Sequence, residues 1–194
     1  CGATTAPLNP DYKAEEFAFY LSDLNAKALI VEAGSTSPAI QVAHDKNVPV
    51  YEIVVPSGAP AGSFEISAAK GATGKPQHPG MAGPEDIALV LHTSGTTSRP
   101  KIVPLSQTNV CASAHHIVAS LALTPEDRCM NIMPLFHIHG LIGALLSSLA
   151  AGAAVYCTPG FNALRVFRWF EDAAPSWYTA VPTMHQAIVA RAVR

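Results

Sequence analysis

The stretch LHTSGTTSRPK, Leu91 to Lys101, follows directly on the apolar run Ile87 to Val90. It holds two Ser, three Thr, one Gly, one Pro and two basic side chains. A continuous run of aliphatic residues is typical of a strand that is buried on both faces, as in a parallel or mixed sheet. The sequence therefore predicts a polar loop at the end of a buried strand.

The composition of this loop suits an anion. Gly95 permits a close approach of the backbone, whose N–H groups then line a concave, partly positive site. Ser94, Thr96 and Thr97 add hydroxyl donors, and Lys101 adds a mobile positive charge. Clusters of Ser, Thr, Gly and Pro also occur in ordinary surface loops, but the ordered string points to the phosphates of a nucleotide.

The loop does not fit the common phosphate-binding pattern, which ends in Gly-Lys followed by Ser or Thr. Pro100 precedes Lys101, and Ile102 follows it. A proline beside the lysine blocks the usual passage from loop to helix. We therefore exclude the ordinary P-loop class of nucleotide hydrolases.

The 194 residues are 49% apolar and only 13% charged, which is enough to bury a substantial core. A net charge of −2 gives no basic footprint for nucleic acid. No apolar run is long enough for a transmembrane helix. The start CGATTAPLNP has no Met and no basic segment, so we expect no signal peptide and an internal piece of a longer protein.

The four cysteines, at positions 1, 111, 129 and 157, show neither zinc-ligand spacing nor a disulfide framework. We expect them to be core residues in a reducing compartment, which favours a cytoplasmic location and leaves a peroxisomal one open.

Strand and helix patterns alternate along the chain, which predicts a layered α/β fold. We expect strands at 27–31, 48–55, 86–92, 101–106, 128–133, 153–158 and 176–181, and helices at 15–24, 37–46, 107–121, 137–150, 163–171 and from 182 onward. Pro104 predicts an edge strand, Ser106 a helix cap and Pro182 the first turn of the last helix. Gly140 and Gly143 predict close packing of helix 137–150. Residues 57–84 are rich in Gly, Pro, Ala and Ser and are expected to form a long connection.

At TSGTTSRPK, Thr93 to Lys101, the chain resembles the nucleotide-binding signature of the acyl-adenylate-forming (AMP-binding) enzymes. That superfamily includes acyl-CoA synthetases, luciferases and the adenylation domains of peptide synthetases. Its usual pattern is Thr-Ser-Gly-Thr-Thr-Gly-x-Pro-Lys-Gly, so Ser98 and Ile102 stand in place of glycines here. Ser98 with Arg99 is similar to the oxalate–CoA ligase branch.

Three further segments carry the resemblance: APLNPDYKAEEFAFYLSD (6–23), MPLFHIHGL (133–141) and WYTAVPTMHQ (177–186). It covers nearly the whole chain and is weakest in 57–84. It implies an α/β/α portion of the large N-terminal AMP-binding domain, with 1–56 as a first α/β segment, 57–84 as a connection and 85–194 as the segment of the nucleotide loop and acyl pocket. The family's C-terminal domain, with its catalytic lysine, is absent from this sequence. We therefore expect the 194 residues alone not to complete adenylation.

The resemblance implies an ATP-dependent ligase that joins a carboxylic acid to AMP and then to coenzyme A, with Mg²⁺ sharing the phosphate charge. The nucleotide would be held by Thr93, Ser94, Gly95, Thr96, Thr97 and Lys101. Thr97 would face the metal. Lys101 and His137 would be catalytic, and His137 with His139 would bind the acid.

The histidines narrow the substrate class. As a bare pair, His137 and His139 favour a structural role; within the motif, His137 is expected to hydrogen-bond the substrate carboxylate. Two histidines suit a small dicarboxylate such as oxalate, whose second carboxylate needs donors. Trp177 and Tyr178 either narrow this pocket or belong to the core.

The remaining histidines are less informative. His115 and His116 point in adjacent directions on a helix and make a poor metal pair. His92 lies beside the loop and either shapes it or is structural.

Three alternatives stay open: a non-catalytic nucleotide-binding relative, a ligase for medium-chain, long-chain or aryl acids, and a luciferase-like or carrier-loading enzyme. The partners expected are a small carboxylic acid, ATP and coenzyme A, without nucleic acid. A homo-oligomer is left open.

Overall fold

The computed structural model describes residues 2–67, 80–93 and 100–192. The chain forms two compact units. The smaller unit is Leu8–Pro79, and the larger unit combines Cys1–Pro7 with Gly80–Arg194. Strands and helices alternate in both, which confirms the α/β class.

The smaller unit has the elements α1 (Ala14–Asp23), β1 (Leu29–Glu32), α2 (Pro38–Asp45), β2 (Val50–Val54) and β3 (Glu65–Ser67). Strand β2 pairs with β1 in parallel and with β3 in antiparallel fashion. The apolar faces of α1 and α2 form its core, with Phe17, Leu21 and Ala43 buried. Strand β3 lies inside the stretch expected to be a long connection, so that expectation was wrong at 65–67, where hydrogen bonds to β2 impose an extended backbone.

The larger unit begins with an antiparallel hairpin of β4 (Ile87–Thr93) and β5 (Lys101–Ser106). Thr5 bridges β4 in parallel on its other side, through hydrogen bonds to Ala88 and Val90. Pro104 stands opposite Val90, and in the described part of the chain β5 pairs with β4 alone, which confirms the edge position.

The expectation that β4 is buried on both faces was wrong for the described residues. Leu89 is the buried residue of β4, while Ile87 is 38% exposed and Leu91 is half-buried. The physical reason is that the core cluster formed by α3 (Gln107–Leu121) and the segment 139–146 buries Leu89 and covers Leu91 only in part.

The rest of the larger unit is a parallel sheet with helices. The strands are β6 (Arg128–Asn131), β7 (Ala154–Cys157) and β8 (Trp177–Thr179), in the order β7-β6-β8. The helices are the π-helix π1 (His139–Leu146), α4 (Ser147–Ala150), α5 (Val166–Ala173) and α6 (Pro182–Ala192). Met130 and Ile132 lie at the centre of the core that the sheet forms with α5 and α6.

Helix α3 has the predicted bounds because Ser106 and Asn109 cap its N-terminus reciprocally. Ser106 Oγ accepts a hydrogen bond from the Asn109 backbone N–H at 3.2 Å, and Asn109 Oδ1 accepts one from the Ser106 N–H at 3.0 Å. This reciprocal arrangement satisfies two backbone donors that the helix itself leaves free. Pro182 opens α6, as predicted.

Two helix predictions need correction. The helix expected at 137–150 begins at His139 and is π-helical up to Leu146 before it continues as α4. The helix expected at 163–171 runs from Val166 to Ala173, because Asn162 Oδ1 accepts from the Leu164 N–H and holds that segment in a turn. Within the described residues, none of the helices has both the length and the apolar character needed to cross a membrane.

Candidate functional site

The hairpin brings together two of the residues predicted to bind a nucleotide. Thr93, the last residue of β4, stands directly opposite Lys101, the first residue of β5. Residues that face each other in an antiparallel pair project from the same face of the sheet, with their Cβ atoms about 5 Å apart. Both residues are exposed. The hairpin therefore presents a hydroxyl and a cation side by side where the strands end.

The connection between these strands is the segment 94–100. Four of the residues predicted to bind the nucleotide lie outside the described residues, namely Ser94, Gly95, Thr96 and Thr97. The contact predicted between Thr97 and a metal falls outside them for the same reason. Next to the connection, His92 is half-buried and faces Ile102, which is 42% exposed.

Helix α3 supports both the hairpin and π1. Leu89 of β4, Ala114 of α3 and Ile142 of π1 form one buried cluster. Ala114 is small enough to let the elements on either side approach the helix axis closely, and the cluster is 4% exposed or less at each of the three positions. The hairpin and the start of π1 are thus packed on a common element.

The segment leading into π1 is held by Asn131, a residue that is 2% exposed. Its Oδ1 accepts a hydrogen bond from the Met133 N–H at 3.0 Å, and its Nδ2 donates to the Gly140 carbonyl at 3.3 Å. The turn from β6 into π1 passes so close to itself that a Cβ on Gly140 would lie 2.4 Å from the Pro134 carbonyl oxygen. Asparagine at 131 and glycine at 140 are therefore both required by this turn.

The two histidines of this segment have different surroundings. His139 Nε2 lies 2.7 Å from Thr179 Oγ1, at the carboxyl end of β8. His137 is exposed, and its ring lies 4.7 Å from the ring of Phe136, centroid to centroid. His139 contributes to the wall of a groove, whereas His137 does not.

The groove has a volume of about 640 Å³ and runs between α3 and β8. One wall is apolar, the other carries most of the polar groups, and the lining comprises Ile117, Ser120, Leu121, Leu123, Asp127, His139, Gly143, Ser176, Trp177, Tyr178 and Thr179. Since β8 rises about 3.3 Å per residue, the end with Thr179 lies roughly 10 Å from the end with Ser176. The groove is large enough for a small organic molecule.

The Ser176 end of the groove is structural. Ser176 Oγ donates to Asp127 Oδ1 at 2.7 Å and accepts from the Arg128 N–H at 2.9 Å, so it ties the start of β8 to the start of β6. The hydrogen bond from Ser176, followed by that from the Thr124 N–H, lowers the pKa of Asp127 below its usual value. Asp127 thus remains an ionised acceptor that anchors the strands.

Trp177 and Tyr178 both line the groove, and Tyr178 also belongs to the core. The Tyr178 ring packs edge-on against Phe170, and its hydroxyl lies 3.1 Å from His185 Nδ1. Tyr178 is therefore a core residue, as one of the two interpretations predicted, and it also lines the groove.

Sequence reasoning missed Asn131 and Thr179. The available signal was their position: each is the last residue of a parallel strand, where side chains from neighbouring strands meet at one edge of the sheet. His115 and His116, which were expected to make a poor metal pair, are both exposed. Of the cysteines that the structure describes, Cys129 is buried and Cys111 and Cys157 are exposed, so the expectation of core cysteines was right for Cys129 alone.

The described residues contain no group of three or more His, Cys, Asp or Glu side chains arranged to hold a metal ion. They thus supply no protein cage for Mg²⁺.

Comparison with known proteins identifies relatives over the whole chain. The family model described as AMP-binding enzyme matches residues 1–194. An oxalate–CoA ligase of Arabidopsis thaliana is 43% identical over 97% of this chain, and one of Saccharomyces cerevisiae is 37% identical over 92%. In both cases the chain spans 37% of the relative's length.

Solved structures show the same fold. A malonyl-CoA ligase in complex with methylmalonyl-CoA and AMP superposes with a TM-score of 0.76 at 26% identity, over 97% of this chain and 36% of that one. ATP-bound MatB from Rhodopseudomonas palustris gives a TM-score of 0.73 at 24% identity, over 96% of this chain and 36% of that one.

Proposed function

Since this chain belongs to the AMP-binding enzyme family, we propose that the full-length protein is an ATP-dependent acid–CoA ligase for a small, oxalate-like carboxylic acid. The acid attacks the α-phosphate of ATP to give an acyl-adenylate and pyrophosphate, and coenzyme A then takes the acyl group as a thioester. The observation that carries the proposal is the register of the hairpin, which sets Thr93 opposite Lys101 on either side of the segment 94–100.

The proposed role of Lys101 is to hold the phosphates of ATP by electrostatic attraction, as a clamp. The first step brings a carboxylate toward a polyphosphate, so the two anions repel each other unless fixed positive charge lies nearby. The exposed ammonium group of Lys101, carried at a hydrogen-bonded strand end, offers such charge. Thr93 adds a hydroxyl on the same face, and the two together suit the phosphates that leave as pyrophosphate.

Mg²⁺ accompanies ATP in reactions of this kind and neutralises part of its charge. The described residues offer no cluster of His, Cys, Asp or Glu side chains to bind it. Thr97 remains the proposed contact from the protein.

The groove beside His139 is the proposed site of the acid. His139 and Thr179 form its polar end, where donors suit a carboxylate. His137, exposed on the same segment, is proposed to approach the reacting carboxylate from outside the groove. The likeness to two oxalate–CoA ligases supports a small dicarboxylate as the substrate.

A second candidate rests on the other wall of the groove. Ile117, Leu121 and Leu123 give it an apolar side, and a two-carbon acid would occupy only the polar end. This wall favours a ligase for aryl or medium-chain acids, whose apolar portion would lie against α3.

Substitution of Lys101 tests the proposal. In the full-length protein we expect Lys101→Ala to lower acid-dependent ATP–pyrophosphate exchange by about 10²-fold or more, because the clamp on the leaving phosphates is lost. Lys27→Ala, which removes another exposed lysine in the smaller unit, serves as the control and should leave the rate unchanged.

Oxalate, coumarate and hexanoate should be assayed side by side. Exchange that depends on oxalate supports the small-acid ligase, whereas exchange with coumarate or hexanoate alone supports the second candidate. ATP binding without exchange for any acid would identify a non-catalytic nucleotide-binding relative and refute the ligase proposal.

A further inference from the structure

The carboxyl ends of β6 and β8 hold the start of π1 at two points. Asn131 and Thr179 are paired in the parallel register, so their side chains emerge side by side from the same face of the sheet. Asn131 Nδ2 donates to the Gly140 carbonyl, and Thr179 Oγ1 lies 2.7 Å from Nε2 of the adjacent His139. One contact fixes the backbone and the other fixes the imidazole ring.

The contact with Thr179 uses only one of the two ring nitrogens. Within the described residues, His139 makes no second side-chain hydrogen bond, so Nδ1 is left for another partner. A threonine hydroxyl can donate or accept, and it therefore matches the neutral imidazole in either tautomer as well as the imidazolium. In the imidazolium, Nε2–H donates to Thr179 and Nδ1–H is available to an anion.

We propose that Thr179 is a positioning residue whose hydroxyl orients His139 so that its Nδ1 binds a carboxylate of the acid at the polar end of the groove. This inference rests on the proposed function, since it assigns a site for the acid of that reaction. A hydrogen-bond partner on one ring nitrogen fixes the orientation of the ring and so the direction in which the other nitrogen points. Asn131 assists by holding the backbone on which His139 is carried.

A purely structural role for Thr179 predicts a different outcome from a positioning role. If the hydroxyl only fills space at the end of β8, the valine variant, which has nearly the same shape, would retain acid binding, and the serine variant, which lacks the methyl group, would lose more stability. If the hydroxyl orients His139, serine should rescue the function that valine loses.

The kinetic test uses Thr179→Val and Thr179→Ser in the full-length protein, with oxalate and hexanoate as probes of ATP–pyrophosphate exchange. We expect Thr179→Val to raise the KM for oxalate by about tenfold or more, the size of effect that one hydrogen bond to a charged group produces. The KM for ATP should stay within about twofold, and Thr179→Ser should restore most of the affinity for oxalate.

A matched control is Thr158→Val. Thr158 lies at the end of β7, on the other side of β6, and its hydroxyl donates to the Asn131 carbonyl at 3.1 Å and not to a histidine. This variant should leave the KM for oxalate unchanged. Equal effects of the valine substitutions at 158 and 179, a rise of the KM for ATP in parallel, or failure of serine to rescue would overturn the inference.

A binding experiment separates this inference from the ligase proposal. In full-length protein labelled with ¹⁵N-histidine, and with the signals assigned through His139→Gln, oxalate without ATP should shift the ring nitrogen signals of His139. Thr179→Val should abolish that shift. If oxalate shifts the signals of His139 but the protein shows no ATP–pyrophosphate exchange, the ligase proposal is wrong and the histidine site is supported. If the signals do not respond to oxalate, the histidine site is refuted.

Discussion

Cys129 shows how the core changes the chemistry of one residue. Its side chain is fully buried in β6, and burial, partly offset by a hydrogen bond with Ser148, raises the pKa of the thiol from 9.0 to about 11. The thiolate of Cys157 nearby adds a smaller upward contribution. The folded protein therefore keeps this thiol neutral at a pH where the unfolded chain ionises it.

The stability contribution of Cys129 should depend on pH in one direction. Because its pKa is higher in the folded state, the contribution is complete below pH 9 and is lost as pH rises toward 11. We expect the difference in unfolding free energy between the wild type and Cys129→Ala to shrink by roughly 2 kcal/mol between pH 8 and pH 11. Urea denaturation across this range measures it, and a difference that stays constant would contradict the assignment.

At the scale of elements, the course of π1 depends on its contacts with β6, β8 and the turn that precedes it. Its first turn is bound by Asn131 and Thr179 rather than by its own backbone alone, and Gly140 lies against the carbonyls of Met133 and Pro134. π-Helical turns often occur at functional sites, where an extra residue per turn re-aims a side chain. Here that side chain is His139.

Substitution by alanine should destabilise the protein much more at Gly140 than at Gly143. A Cβ at Gly140 would meet Pro134 O at 2.4 Å and Met133 O at 2.9 Å, so Gly140→Ala must displace backbone and should cost about 1–3 kcal/mol or more. At Gly143 the nearest atom is His139 Cδ2 at 3.4 Å, and alanine should cost little because its better helix propensity compensates. Chemical denaturation of both variants checks this, and similar losses would disprove the close approach at Gly140.

At the scale of the whole molecule, each of the two units has a buried cluster of its own. Phe17 and Leu21 anchor the smaller unit, and Met130, Ile132 and Trp169 anchor the parallel sheet of the larger one. The tryptophans, Trp169 and Trp177, both lie in the larger unit. Their fluorescence therefore reports on the unit that carries the hairpin and the groove.

Two nearby isoleucines provide a test of this core. Ile132 is fully buried against the parallel sheet, whereas Ile138 is 51% exposed. Ile132→Ala should lower the unfolding free energy by about 2–5 kcal/mol, since it removes buried apolar surface and leaves a cavity. Ile138→Ala should change it by no more than about 0.5 kcal/mol. Urea denaturation followed by tryptophan fluorescence measures both changes. Equal shifts of the two denaturation midpoints would refute the packing described.

The sequence alone determined those features that depend on short-range rules. Helix α3 could be predicted from Gln107 to Leu121 because Ser106 is a local cap and the apolar spacing is helical. Pro182 at the start of α6 and Pro104 in an edge strand follow from the missing N–H of proline. The ordered string at 93–101 identified the AMP-binding family, which the match over residues 1–194 confirms.

Only the tertiary structure decided how the candidate site is assembled. Asn131, His139 and Thr179 are up to 48 positions apart in the chain, and the parallel pairing of β6 with β8 brings them together. The π-helical course of 139–146 and the groove between α3 and β8 likewise depend on contacts between distant segments. Local propensities and motif spacing contain no information about such contacts, because these arise only when the strands have paired and the helices have packed on them.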